Sequence, residues 1–402
     1  MDFELPEPIA EKLREIDRFV RAQIIPLETQ LLGGDFSALE AALEKRRSEV
    51  KSAGWWAPHL ESKWGGCGGD LVELGLIGEV LGQSPLAHFV FGCNAPDAGN
   101  AELLARHGDT AQQEAFLKPL ASGLVRSCFA MTEPDSAGSN PTRLNTRAVR
   151  DRGDYVVNGR KWFATAADGA DFAIVMAVTE PGQPPHRRAS MLLVPTDAPG
   201  YQLVRNIPVM GHAGAGVFSH GEIEFHNCRV PASALIGQPG SGFHLAQERL
   251  GPGRIHHCMR WLGICRRAMQ MLCERARLRH IDDQQVLADK QIVRQWIAQS
   301  AAEIEAARQF VLRTAWEIDS KGFKSARTRV GMIKYFVAEV LQRVVDRALQ
   351  VHGALGMTDD TILAFWYREE RAARIYDGAD EVHQMSVAKA MLDGHVPWNA
   401  AP

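Results

Sequence analysis

Three stretches of the 402-residue chain hold residue types that could do chemistry. The first is Cys128-Phe129-Ala130-Met131-Thr132-Glu133-Pro134-Asp135-Ser136-Ala137-Gly138-Ser139. Thr132, Ser136 and Ser139 supply hydroxyls, and Gly138 lets backbone N–H groups approach a ligand closely. A strand running into such a loop can cradle an electron-rich ring or a phosphate. An ordinary Pro/Gly/Ser-rich turn between domains fits the same residues, and on composition alone it is the better reading. The second stretch is Arg374-Ile375-Tyr376-Asp377-Gly378-Ala379-Asp380-Glu381-Val382. The pattern alone fits a plain Asp-Gly turn whose Asp380 caps the final helix. A third string, Arg254-Ile255-His256-His257-Cys258-Met259-Arg260, invites a metal reading. Adjacent helical residues point about 100° apart, so the two imidazoles do not face one ligand. No carboxylate completes an H-E-x-x-H arrangement, so no metal is expected and a structural or substrate-contact role is preferred.

These residues need elements to position them. Apolar residues at helical spacing predict helices over Glu7–Thr29, Ser37–Ala53, Leu71–Gln83 and Ala98–His107. The cluster Trp64-Gly65-Gly66-Cys67-Gly68-Gly69 lacks the Lys and Ser/Thr of a phosphate loop and reads as a turn. From Phe129 the pattern changes to short apolar or alternating runs. Tyr155-Val156-Val157, Asn158-Gly159 and Arg160-Lys161-Trp162-Phe163 together read as a β-hairpin. Further strands are expected at Phe172–Val178, Ser190–Val194, Gln202–Arg205 and Glu222–His226, making a small barrel or sandwich. A long helical pattern begins at Ser241 and runs to Arg279. Ile333, Val337, Val340, Leu341, Val344, Ala348 and Val351 then form one apolar stripe, the core of a bundle or a subunit interface. The expected fold class is α+β, with a helical domain over residues 1–127, a middle β domain over 128–238 and a helical bundle over 239–402.

The length allows two or three domains. The formal net charge of -3 asks for neither nucleic acid nor an anionic membrane surface as partner. The 7 cysteines show neither a C-x-x-C pair nor zinc-like spacing, so buried free thiols in a reducing compartment are expected. There is no signal-peptide pattern and no apolar run of bilayer length, which predicts a soluble cytoplasmic protein.

The Thr132-Glu133-Pro134 loop with Ala137-Gly138-Ser139 resembles the flavin-binding signature of acyl-CoA dehydrogenases. Its spacer Asp135-Ser136 is one residue longer than the common form. Lys161-Trp162-Phe163-Ala164-Thr165 is similar to that family's Trp-Ile-Thr flavin segment, with Ala164 at the usual Thr and Thr165 after it; either Thr165 or the backbone alone serves. Gly242-Phe243 and Leu250-Gly251-Pro252-Gly253-Arg254 resemble two further signatures. Arg279 stands where the family places a cation on the flavin pyrophosphate across a dimer interface, although Asp282 replaces the usual Phe. Gln350-Val351-His352-Gly353-Ala354-Leu355-Gly356 resembles the family's Gln-x-x-Gly-Gly-x-Gly segment, with Ala354 for the second Gly. Tyr376-Asp377-Gly378-Ala379 stands at the family's Tyr-Glu-Gly-Thr, where the Glu is the base. The string Arg254–Arg260, the Phe91–Asp97 segment and the Asp at 377 resemble most the branch often fused behind a kinase-like phosphotransferase domain. The chain is expected to lack that extension.

The resemblance implies an acyl-CoA dehydrogenase-like fold with FAD as cofactor and α,β-dehydrogenation of an acyl-CoA. The medium or long, branched or 4-hydroxyacyl-derived chain is left open, and the Phe91–Asp97 region is expected to carry chain-length information. Asp377 would remove the α-proton from a dry pocket, with its shorter side chain reaching less far than Glu. The β-hydride needs an acceptor that no side chain supplies, and a flavin is one. Flavin contacts would fall to Phe129, Met131, Thr132, Gly138, Ser139, Trp162, Ala164, Thr165, Arg279, Gln350, His352, Gly353, Ala379 and Glu381. Ser139, Arg254 and Gly378 would meet the substrate, with a backbone N–H at Gly378 or Glu381 facing the enolate oxygen. An electron-transfer flavoprotein would be the acceptor, and contacts across subunits imply a homo-oligomer, a dimer of dimers. A nitroalkane-oxidising relative, which also uses an Asp base, and a non-catalytic flavoprotein of the same fold are the alternatives.

Overall fold

The structure is a computed structural model that describes residues 4–34 and 36–395. The chain forms two compact units. Met1–Glu49, Gly69–Val90 and Gly251–Pro402 make the first, which is helical; Val50–Gly68 and Phe91–Leu250 make the second, which holds every strand. In sequence order this is a helical N-terminal part, a middle sheet and a helical C-terminal part, an α+β fold.

In the helical unit, α1 (Glu7–Phe19) does not run on as one α-helix to Thr29. It passes into a π turn at Val20–Ile24 and a 3-10 turn at Ile25–Leu27. Pro26 offers no N–H and its ring crowds the preceding turn, which breaks the regular ladder. Helix α2 (Phe36–Ser52) follows, and α3 (Leu71–Leu81) is capped by Asp70, which accepts the Glu73 N–H at 2.8 Å. Such a cap satisfies one of the orphan donors at a helix start. Helix α4 (Asp97–His107) belongs to the sheet unit.

The long C-terminal helices are α5 (Gly242–Leu278), α6 (Gln291–Lys321), α7 (Phe323–His352), α8 (Ile362–Glu369) and α9 (Asp380–Leu392). The shared partner is α7. Its stripe Ile333, Val337, Val340, Leu341, Val344, Ala348 and Val351 is buried throughout, as the helical spacing predicts. Arg343 and Arg347 tie it to Glu303 of α6, and Lys334 ties it to Asp380 of α9. The apolar residues of α9 behave differently: Met385 is 75% and Leu392 87% exposed.

The second unit is built on strands β1 (Ser127–Ala130), β2 (Arg147–Asp151), β3 (Asp154–Thr165), β4 (Phe172–Val178), β5 (Ala189–Pro195), β6 (Tyr201–Asn206), β7 (His220–Pro231) and β8 (Leu235–Ile236). They form one connected sheet in the order β6-β7-β3-β2-β4-β5-β8, with β1 parallel to β4. Six of the residues of β4 are buried in an unbroken run, which explains why it reads as a solid apolar string rather than an alternating one.

The hairpin expected at Asn158-Gly159 is absent, because β3 runs straight through it. The actual two-residue turn is Arg152-Gly153, where β2 meets β3 with Asp151 opposite Asp154. Both turn residues have positive φ, 52° and 94°, as a tight hairpin requires. Asn158 serves a bulge against β7 instead, accepting the Asn227 N–H at 2.8 Å. Gly159 is needed there for close packing: a Cβ would come within 2.6 Å of Thr146.

Candidate active site

The turn between α8 and α9 presents Asp377 in a backbone conformation that non-glycine residues rarely adopt, with φ 53°. Gly378 follows at φ 100°. Two side chains secure this turn through one atom. Arg254 Nε, on α5, donates to the Asp377 carbonyl oxygen at 3.1 Å, and His383 Nε2, on α9, lies 3.1 Å from the same oxygen. A Cβ on residue 378 would meet His383 Nε2 at 2.6 Å, so the turn and the imidazole fit only with glycine. The carboxyl itself lies with Oδ2 3.0 Å from His257 Nε2. His257 stacks on Trp261, with centroids 5.8 Å apart, and tilts against Tyr376 at 5.0 Å.

Behind the turn sits a polar network. The Tyr376 hydroxyl accepts from Arg260 Nη2 at 2.8 Å and from Trp261 Nε1 at 3.0 Å, and Arg260 also binds Glu370. Burial pushes the Tyr376 phenol well above its ordinary value. Asp380 is not the helix cap that the residue pattern suggests. It is 1% exposed, lies between Lys334 at 3.4 Å and Arg374 Nε at 2.7 Å, and makes no capping bond. Burial lowers Lys334 against the pull of Asp380. Burial also takes His256 down to about 4, and His383 likewise to about 4, so both are neutral imidazoles near pH 7.

In the sheet unit, the Thr132 loop is fixed to β3. Trp162 N–H donates to the Thr132 carbonyl at 3.0 Å, and Thr132 Oγ1 donates to the Trp162 carbonyl at 2.7 Å. Below them is a buried ion pair, with Lys161 Nζ 2.8 Å from Glu133 Oε1 and 2.9 Å from the Met131 carbonyl. Glu133 also accepts the N–H groups of Asn145 at 2.6 Å and Thr146 at 2.9 Å. Burial alone would raise the Glu133 carboxyl; Lys161 and these N–H donors outweigh it and hold the group below its ordinary value.

The segment Trp162–Thr165 is irregular, with a bulge between Lys161 and Ala164 and Phe163 at φ 50°. Trp162 is half-buried and Phe163 is 45% exposed, their rings edge to face at 5.1 Å. Ala164 is fully buried, whereas Thr165 is half-buried with Oγ1 3.0 Å from His220 Nδ1. Phe129 lies under Arg249, whose guanidinium is 4.1 Å from the ring centroid. Gly138 and Ser139 are exposed on the loop, and Gly138 lines a shallow recess with Met131, Thr132, Asn140 and Arg143.

The remaining sequence candidates lie in the helical unit. Arg279 is exposed just beyond α5, where Asp282 accepts the N–H groups of Gln284 and Gln285 in the following turn. That turn occupies the position of the expected Phe. Gln350 is exposed at the end of α7, His352 is buried with Nδ1 2.8 Å from the Ala348 carbonyl, and Gly353 ends the helix at φ 65°. Ala379 precedes α9, and Glu381 is exposed in its first turn.

The structure therefore brings Arg254, Asp377 and Gly378 together in one unit, and Met131, Thr132, Gly138 and Trp162 in the other. Sequence reasoning did not connect His257 or His383 to the carboxyl. The one signal for His257 was its place three residues after Arg254 on the same helix. The seven cysteines are free thiols, of which Cys128, Cys228, Cys258 and Cys265 are buried. Among the described residues no group of His, Cys, Asp and Glu could hold a metal, and no helix is long and apolar enough to cross a membrane.

FAD, the group the resemblance implies, needs an aromatic face and close backbone donors for its ring, and cationic donors for its pyrophosphate. Trp162 in its bulge, bonded to the Thr132 loop, suits the first demand. In the helical unit, Arg275 Nε is buried with no hydrogen-bond partner, and its charge is felt by His352. A buried guanidinium N–H left over in this way suits the second demand, since such donors are rarely left unsatisfied. The residues fit the group.

Comparison with known proteins gives concordant results. The acyl-CoA dehydrogenase N-terminal domain matches residues 10–124, the middle domain residues 128–228 and the C-terminal domain residues 240–392. A Mycobacterium tuberculosis protein named probable acyl-CoA dehydrogenase FadE2 is 45% identical over 87% of this chain and 85% of its own. Mouse acyl-CoA dehydrogenase family member 11 is 38% identical over 95% of this chain, which spans 50% of that relative. A solved Mycobacterium abscessus structure assigned to the acyl-CoA dehydrogenases superposes with a TM-score of 0.93 at 36% identity, covering 98% of this chain and 100% of that one.

Proposed function

The chain belongs to the acyl-CoA dehydrogenase family, and from that premise we propose that it desaturates an acyl-CoA thioester between its α and β carbons, with Asp377 as the base. The observation that carries this reading is the Asp377 turn. A carboxylate is held at φ 53° with its carbonyl engaged by both Arg254 and His383. Strained, over-determined backbone of this kind concentrates at functional sites.

Asp377 takes the α-proton, and the electron pair of the broken C–H bond moves toward the thioester carbonyl. The shorter Asp reaches less far than Glu, and the αL turn is the feature that would carry it toward the substrate. Backbone N–H groups near Gly378 or Glu381 would face the growing enolate charge, where preorganised donors matter most. Ser139 would meet the thioester or pantetheine end, and Arg254, which fixes the turn through Nε, would meet the substrate together with Gly378. FAD supplies the acceptor for the β-hydride when bound. Phe129, Met131, Thr132, Gly138, Ser139, Trp162 and Thr165 would hold its ring side. Arg279, Gln350, His352 and Gly353 would serve its pyrophosphate and adenosine side, and Ala379 and Glu381 its edge near the base. Ala164, fully buried, would contribute through its backbone alone.

The Arg254–Arg260 string, the Phe91–Asp97 segment and the Asp at 377 are what support placement in the branch often fused to a kinase-like domain, with a medium or long, branched or 4-hydroxyacyl-derived substrate. An electron-transfer flavoprotein is the proposed acceptor. The exposed apolar residues Met385 and Leu392 on α9 support a homo-oligomer, a dimer of dimers. Anaerobic absorbance of the yellow protein, titrated with straight, branched and 4-hydroxyacyl-CoAs, tests the whole reading. Bleaching of the flavin band by one class supports it. A flavin spectrum that no thioester changes would move the assignment to nitroalkane oxidation, and a colourless protein would end it.

A further inference from the structure

The feature that neither the motif nor the family membership assigns is the imidazole on the carboxyl. We propose that His257 is the positioning partner of Asp377: its Nε2, 3.0 Å from Oδ2, fixes the rotation of the short carboxyl so that it faces the proton it removes. This rests on the reading of Asp377 as the base.

The surroundings are those of a positioned residue. His257 and Asp377 are 18% and 21% exposed at their side chains, so the contact is largely shielded from water. Trp261 stacked on one side and Tyr376 on another fix the ring plane, and Tyr376 is itself pinned by Arg260 and Trp261. The Asp377 main chain is held by Arg254 and His383, and the bond to His257 engages its side chain. A Glu can find its geometry through an extra torsion; an Asp on a fixed backbone depends on whatever holds its Oδ2.

An imidazole that donates Nε2–H to Oδ2 fixes the rotation of the carboxylate and leaves its second oxygen to accept the α-proton. Burial holds the neighbouring His88, His256 and His383 below the ordinary imidazole value, and His257 Nε2 is the ring nitrogen that meets the carboxyl.

The test uses the FAD-loaded enzyme labelled with 15N-histidine. The His257 resonance, identified by its disappearance in H257Q or, should that variant not fold, in H257N, is compared in wild type and in D377N at one pH. Loss of the carboxylate is expected to shift the Nε2 resonance, because the charge-assisted hydrogen bond is removed. The same resonance position in the two proteins would overturn the pairing. In parallel, flavin reduction is followed by anaerobic stopped flow, with whichever of butyryl-, octanoyl- and palmitoyl-CoA reduces the wild type fastest. H257A is expected to fall about ten- to a hundred-fold through lost orientation, and H257Q, whose amide can replace Nε2–H, to recover most of that rate. An H257Q enzyme as slow as H257A would overturn the role while leaving Asp377 as the base. A D377N enzyme that reduces as fast as wild type would instead remove the reading on which the role rests.

Discussion

Asp377 is held by side chains of two helices, α5 and α9, whereas Thr132 is held through its own carbonyl and hydroxyl to the backbone of the strand beside it. Arg254 stands 123 residues before the carbonyl it binds. Trp162 and Thr132 exchange two bonds across neighbouring backbones, and the Lys161–Glu133 pair below them is fully enclosed. The first arrangement fixes one residue in a strained conformation and leaves its carboxyl responsive to a neighbour. The second makes a rigid floor whose side chains have no latitude. A base that must gain and lose a proton and a cradle that must only hold call for these different kinds of constraint.

Substitutions can separate the two. Asp377→Asn should lower the rate of flavin reduction by about a hundred- to ten-thousand-fold with folding intact, measured by stopped flow and by thermal melting. A melt shifted as much as the rate would show that the turn depends on the carboxyl for its structure. Lys161→Met should act the opposite way, leaving Glu133 buried and unpaired at a cost of about 3–5 kcal/mol, read by urea denaturation. A stability loss under about 1 kcal/mol would mean that water reaches the pair.

Gly378→Ala lies between these extremes. The added Cβ meets His383 at 2.6 Å at a φ of 100°, so a loss of about 1–3 kcal/mol is expected together with a fall in activity. His383→Ala combined with Gly378→Ala should restore part of that stability, because the clash partner is gone; no recovery would place the strain in the backbone alone.

The smallest effect is one of pH. His256 and His383 protonate at about 4 in the fold against an ordinary value of 6.5. Between those values the unfolded chain binds more protons than the native one, so stability rises with pH across the window and falls on acidification. The melting temperature should therefore drop as pH is lowered from 6.5 toward 4, and less steeply in His383→Gln. A flat profile would mean that these imidazoles are solvated.

The contrast also explains what could be read from sequence. The buried stripe of α7 and the apolar run of β4 carry periodicity in consecutive residues, and both formed as expected. The Thr132 loop and Asp377 were legible because each sits in a contiguous motif. The straight course of β3 through Asn158-Gly159 was not, because the pairing of Asn158 with Asn227 is a tertiary fact that overrides a local turn preference. Asp380 misled for the same reason: an acidic residue at a helix start looks like a cap until Lys334 and Arg374 enclose it. His257 was visible as a residue but not as a partner, since nothing local joins it to a carboxyl so far along the chain.

Glu133 has one more role. By gripping the N–H groups of Asn145 and Thr146 it closes the excursion between them into a ring of fixed circumference, with its ends held at one carboxylate. A chain segment whose ends are already joined feels an inserted residue only through the logarithm of its length, and even doubling such a loop adds only about 0.6 kcal/mol. The Asp135-Ser136 spacer lies inside that ring, so lengthening between Ser136 and Arg143 should be tolerated on the same grounds, whereas a change at Glu133 would open the ring.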